Sequence, residues 1–195
     1  MGQYFKPVIL KEKENSEQAE QVIAWMYSHN YGNGLKLMEH SWLKNDFVNT
    51  FESLLAPNAE YYKSRVIWAG DYAEDEENIT LKDDEGKEYN PNLYSLCNDE
   101  NEITPNLIKV DNATYYRYIL NHTKNEYVDK DKIVVVDGRQ VHPLPLLTSE
   151  GNGQGGGDYF AEPDQHLVGA WARDVISVQT TIPNGFNELI VKFAE

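Results

Sequence analysis

Thirty consecutive residues, 71 to 100, carry eleven carboxylates (Asp71, Glu74, Asp75, Glu76, Glu77, Asp83, Asp84, Glu85, Glu88, Asp99 and Glu100) against two lysines (Lys82 and Lys87). That is −9 of a whole-chain net charge of −15. Such a run repels itself and stays hydrated, so the core must be assembled from the segments on either side of it. The expectation is one domain, 1–195, with an exposed acidic insertion at 71–104 that turns as a hairpin at Asp83-Asp84-Glu85-Gly86. A chain of 195 residues, 41% hydrophobic, has enough apolar surface for a core without covalent staples.

The flanks differ in period. Residues 4 to 10 read as an opening strand, and Pro7 implies an edge position or an early break. Ser16 as a cap, with Val22, Ile23 and Met26 at helical spacing, predicts a helix over 16–28. Asn45 or Asp46 caps a second helix, whose Phe47, Val48, Phe51, Leu54 and Leu55 share a face before Pro57-Asn58 stops it. A strand at 65–69 closes at Gly70-Asp71. After the insertion, strands are expected at 115–120, 126–128, 133–136, 140–147, 168–171, 175–180 and 189–193, with Asp137-Gly138 and Asn184-Gly185 as turns. Helices first and strands after predict an α+β fold, a largely antiparallel sheet with two or three helices from the N-terminal part.

Charge and composition narrow the function classes. With 32 acidic and 17 basic residues the chain has no basic footprint, which argues against nucleic acid or an anionic membrane as partner. No apolar run approaches the ~18 residues of a membrane span, and Met1-Gly2-Gln3-Tyr4-Phe5-Lys6 does not open like a signal peptide, so a cytoplasmic protein is expected. A single cysteine, Cys97, makes neither an internal disulfide nor a cysteine-based zinc site.

The segment most suggestive of chemistry is Gly151-Asn152-Gly153-Gln154-Gly155-Gly156-Gly157-Asp158-Tyr159. Glycines admit positive φ and close ligand approach, and successive amides can cradle an anion. It is equally a connection between strands. It is neither a Walker loop, having no following Lys-Ser/Thr, nor a convincing dinucleotide fingerprint. Gly153, Gly155, Gly156 and Gly157 are the candidate amide donors. Asp158, Tyr159, Trp171, Arg173, Asp174, Trp68 and Asp71 flank them as candidates for stacking, charge balance and hydrogen bonding. Ile67-Trp68-Ala69-Gly70-Asp71 and Ala170-Trp171-Ala172-Arg173-Asp174 echo each other, which raises the question whether two strand ends present Asp71 and Asp174 on one rim. Among the histidines, His142 leads toward the glycine stretch, and no dense metal-binding spacing occurs.

Several segments together, Met1-Gly2-Gln3-Tyr4, Gly32-Asn33-Gly34-Leu35-Lys36-Leu37-Met38-Glu39-His40, Trp68-Ala69-Gly70-Asp71-Tyr72, Asn121-His122-Thr123-Lys124, the glycine stretch and Trp171-Ala172-Arg173-Asp174, resemble a family of small acidic proteins of bacteriophage and bacterial mobile-element genomes. The resemblance implies a phage accessory role such as countering host defence, and it carries over no catalytic residues.

Three functions are then expected in turn. The first is a small-ligand binder for a phosphate-bearing, ring-containing molecule such as a nucleotide. The second is a metal-assisted hydrolase using Asp71, Asp158, Asp174 and His142. The third is an acidic interaction module using the insertion. Cofactor, catalytic residues and homo-oligomerisation are left open by the sequence.

Overall fold

The structure, a computed structural model, describes residues 3–135, 138–152, 158–159 and 164–194. Its strands are β1 (Phe5–Leu10), β2 (Val22–Trp25), β3 (Ser64–Gly70), β4 (Leu81–Lys82), β5 (Glu88–Tyr89), β6 (Tyr118–Asn121), β7 (Glu126–Asp129), β8 (Ser149–Glu150), β9 (Val175–Gln179) and β10 (Asn187–Glu188). The helices are α1 (Asp46–Leu54) and α2 (Pro143–Leu147), with short 3-10 turns at Ser28–Tyr31, Leu37–Glu39, Lys130–Lys132 and Gln165–Leu167. The fold is α+β and strand-rich. One sheet runs β10-β7-β6-β9-β3-β1-β2, with β8 also paired to β3, and β4-β5 form a separate hairpin. Pairing is antiparallel except β10 on β7 and β8 on β3.

Strand parity builds two cores. Phe5, Ile9, Val66 and Trp68 face α1 and α2 in the larger cluster, while Val8, Leu10, Ile67 and Ala69 face the smaller one, closed by Leu93 and Cys97. The acidic insertion therefore divides in two. Its β4-β5 hairpin is exposed, whereas Leu93 and Cys97 are buried under the sheet. The expected turn at 83–86 is present: Gly86 donates to the Asp83 carbonyl, and its φ of +81° suits glycine.

Helix α1 forms as its cap and apolar stripe predict. Asn45 accepts from the amides of Phe47 and Val48, and Phe47, Val48, Phe51 and Leu55 are fully buried.

Several expectations need correction. Residues 16–28 hold strand β2 and not a helix. A bulge pairs Ile9 with Ala24 but Leu10 with Val22, leaving Ile23 extra, and this phase slip imitated helical spacing. Residues 143–147 are helix and not strand. Pro143 and Pro145 both fall in a first turn whose amides need no intrahelical acceptor. One of the two helices thus lies in the second half. Pro7 is not on an edge: β1 lies between β2 and β3, and the proline nitrogen falls past the end of β2, where the Pro7 carbonyl still accepts from Met26. Residues 168–171 are turns, and the last strand is Asn187–Glu188 rather than 189–193. Residues 133–135 are irregular, and the turn expected at Asp137 lies outside the described residues. Among the described residues no helix is long and apolar enough to cross a membrane.

Candidate functional site

Three strand ends meet where the glycine stretch departs. Strand β3 finishes at Gly70, which pairs with Phe5 at the start of β1, and β8 runs beside β3 with Ala69 opposite Glu150. A Cβ on Gly70 would stand 2.8 Å from the Glu150 carbonyl, 3.0 Å from the Phe5 ring and 3.2 Å from Gln3 Nε2. Glycine is required there by crowding. Gln3 is 4% exposed, yet neither its Oε1 nor its Nε2 has a hydrogen-bond partner among the described residues. Each such orphaned group costs roughly 1–3 kcal/mol.

The expected site residues are distributed around this rim. Gly153, Gly155, Gly156 and Gly157 lie outside the described residues. Asp158 accepts from the Met38 amide at 3.0 Å, and burial pushes its carboxyl above the ordinary range despite that bond. Tyr159 is buried edge-on to Phe193, and its hydroxyl accepts from the Ala194 amide. Trp68 and Trp171 are buried as well, donating to His40 Nε2 at 3.0 Å and to Glu126 at 2.9 Å. Neither indole offers a free face for stacking.

Arg173 sits in the left-handed region, φ +66°, with its guanidinium committed. It donates to Glu150 at 2.9 and 2.5 Å and to Glu76 at 3.2 and 2.6 Å, and lies 3.5 Å from Glu20. Glu20 is gripped in turn by Arg65 at 2.8 and 3.0 Å. Burial works against the Arg173 charge, but the bonds to Glu150 and Glu76 outweigh it and raise its pKa. Beside it opens a cavity of about 540 Å³ lined by Lys13, Glu74, Asp75, Glu76, Glu77, Asn78, Glu150, Gly151 and Arg173. Five carboxylates against two cations make this basin acidic.

Asp71 and Asp174 do not share a rim. Asp71 accepts from the Tyr4 amide at 2.9 Å beyond the end of β3, whereas the Asp174 carbonyl accepts from Val66. Five residues of strand, about 16 Å, separate those levels. The Asp174 carboxylate takes Asn121 Nδ2 at 2.7 Å and faces Lys124. His142 points into a buried cluster with Glu52 and Lys130. The residues proposed for metal chemistry thus have four separate settings, and no group of three metal-ligating side chains occurs among the described residues. His122 Nε2 and Ser177 Oγ are 2.8 Å apart, but Ser177 is fully buried inside β9 and cannot reach a substrate.

Gln3, Glu20, Glu76 and Glu150 were missed from sequence. Gln3 was legible by parity, because residues 3, 5, 7 and 9 of an alternating strand share one face. The three glutamates gave no local signal, being separated by up to 130 positions. Comparison of the chain with protein-family models, curated proteins and solved structures finds no match.

Proposed function

We propose that the protein binds a small molecule at the rim of Gln3, Gly70 and Glu150, whose local opening uncovers the sealed Gln3 carboxamide to read it. The observation that carries this is the buried, unpartnered amide, held against a glycine where no side chain fits. A carboxamide offers a donor and an acceptor in one plane. Its complement is a flat group with an adjacent acceptor and donor, such as a nucleobase or amide edge. The Arg173 fork is engaged by Glu76 and Glu150, and the neighbouring basin is negative, so the favoured ligand is a nucleoside-like molecule without a polyphosphate. Calorimetry of purine nucleosides against their triphosphates tests this. Binding of a nucleoside, weakened at least about tenfold in Gln3→Leu, is the expected result. No heat with any member, or equal binding by Gln3→Leu, refutes it.

A second reading rests on the β4-β5 hairpin. Leu81 and Tyr89 pair across it and are 38% and 44% exposed in an acidic surround, as a contact patch for a basic protein would be. Tyr89→Ala then weakens capture of that protein and leaves nucleoside binding intact.

A further inference from the structure

We propose that Asn184-Gly185 is a self-modification site, where the asparagine side chain cyclises onto the backbone and the resulting isoaspartyl link loosens β10 from β7. The reaction favours an asparagine followed by glycine. The attacking amide nitrogen must reach the side-chain carbonyl, and glycine has no Cβ to hinder it. The chain has three such pairs, Asn33-Gly34, Asn152-Gly153 and Asn184-Gly185. Gly153 lies outside the described residues, which leaves two pairs to compare.

Their settings are opposite. Asn33 is half-buried and held at both ends of its carboxamide. Its Nδ2 donates to the Tyr31 carbonyl at 2.9 Å, and its Oδ1 accepts from Nδ2 of Asn45, the α1 cap, at 2.7 Å. Gly34 is crowded as well, since a Cβ there would stand 2.0 Å from the Glu39 carboxylate. Asn184 and Gly185 are both exposed in a turn. Gly185 has φ +90°, and nothing lies within 4 Å of where its Cβ would be. The Asn184 side chain has no hydrogen-bond partner among the described residues. Two side-chain hydrogen bonds must break before Asn33 can turn onto Gly34, and none before Asn184 can turn onto Gly185. In the folded protein Asn184 therefore reacts at least about tenfold faster.

The Gly185 nitrogen, its proton taken by solvent base, bonds to Asn184 Cγ. The Cγ–Nδ2 bond breaks, and the amide nitrogen leaves as ammonia with a proton returned from solvent. The product is a five-membered succinimide. One water then opens the ring. Breaking the new Cγ–N bond gives aspartate, and breaking the original peptide C–N bond gives isoaspartate, whose main chain runs through Cβ with one extra atom. That atom falls three residues before β10, which has little holding it. Asn187 donates to the Asn125 carbonyl at 2.9 Å and Leu189 to the Tyr127 carbonyl at 2.8 Å. Lys132 bonds Glu188 at 2.6 and 2.8 Å, and the Phe186 ring meets His122 edge-on at 5.3 Å. A two-residue strand cannot absorb an added backbone atom by sliding, so its pairing weakens and the outer edge of β7 is uncovered.

The test incubates the full chain in neutral buffer, native and in urea, and maps peptides by mass over time. An isoaspartyl O-methyltransferase with a labelled methyl donor reports the isoaspartyl product. In the native chain, conversion at Asn184 is expected to outpace Asn33 at least about tenfold, and in urea the two rates converge. The methyltransferase labels the peptide holding residue 184. In the aged protein, hydrogen exchange at the amides of Asn187 and Leu189 quickens at least about fivefold. Asn184→Gln, an exposed change whose longer side chain cyclises far more slowly, stays unlabelled there and keeps its slow exchange. Equal native rates at Asn33 and Asn184, or an Asn184 that converts in urea but not in the folded chain, overturn the site. Conversion without faster exchange at Asn187 and Leu189 overturns its coupling to β10.

Discussion

Replacing Lys130 with methionine leaves Glu52 as a buried anion facing a neutral imidazole. Lys130, Glu52 and His142 are each no more than 2% exposed, so water cannot take over the lost partner. Breaking a buried pair from one side costs about 3–5 kcal/mol, against a total near 10 kcal/mol for an ordinary domain. With a urea m-value of about 2 kcal/mol/M, the unfolding midpoint falls by roughly 1.5–2.5 M. The deficit depends on pH in a defined direction. In the native protein burial alone would raise the Glu52 carboxyl, but the Lys130 charge, with the side-chain contacts of His142 and Lys130, outweighs it and holds the pKa below the usual range. Its stabilising contribution is therefore present at neutral pH and is lost as pH falls through the acid range. Without Lys130 burial outweighs what the His142 contact supplies, the folded pKa rises above the unfolded ~4.3, and acid now relieves the variant. The two stability curves converge as pH drops. The double variant Lys130→Met with Glu52→Leu removes both charges and recovers most of the loss, to within about 2 kcal/mol of the parent. A single-variant loss below about 1 kcal/mol, or a double variant no better than the single, refutes the reasoning.

Further outcomes follow from other sites. His40 accepts from Trp68 and donates to the Gly34 carbonyl, and burial lowers its pKa to about 4. Because the folded value lies below the unfolded ~6.5, stability is full above that pH and declines toward pH 4 by up to about 3 kcal/mol, read by urea midpoints at a series of pH values. Gly70→Ala forces its methyl within 2.8 Å of the Glu150 backbone and costs about 1–3 kcal/mol by thermal denaturation. Arg173→Lys loses the planar fork shared by Glu76 and Glu150 and costs about 1–3 kcal/mol in the same assay, whereas a freely solvated arginine would tolerate the change. Asn45→Ala removes the α1 cap and costs about 1 kcal/mol.

Local chemistry was legible wherever it was self-contained. Asn45 and the apolar stripe of α1, the hairpin around Gly86 and the alternation of β1 depend on neighbours within a few positions. The failures share one cause, a tertiary contact that changes the meaning of a local pattern. Val22, Ile23 and Met26 mimic a helix because a bulge, set by β1, slips the strand's phase. Pro143 and Pro145 read as strand breakers because nothing nearby announces His142 as a cap. The same limit applies to function. Trp68, Trp171 and Arg173 were singled out as ligand-binding candidates, but their partners His40, Glu126 and Glu76 are 28 to 97 positions away. Residue type alone could not separate an internal brace from a ligand contact.

Strand β9 has a consequence for how the protein is made. It pairs with β6 on one side and with the start of β3 on the other, and through it the β6-β7-β10 portion of the sheet joins the β1-β2-β3 portion. Its residues, 175–179, are made after all of β1 to β8. Until they emerge, β3 and β6 each carry a bare edge able to recruit a neighbouring nascent chain. A chain stopped just upstream would thus hold two partial sheets with no linking strand, each open to pairing with a neighbouring chain.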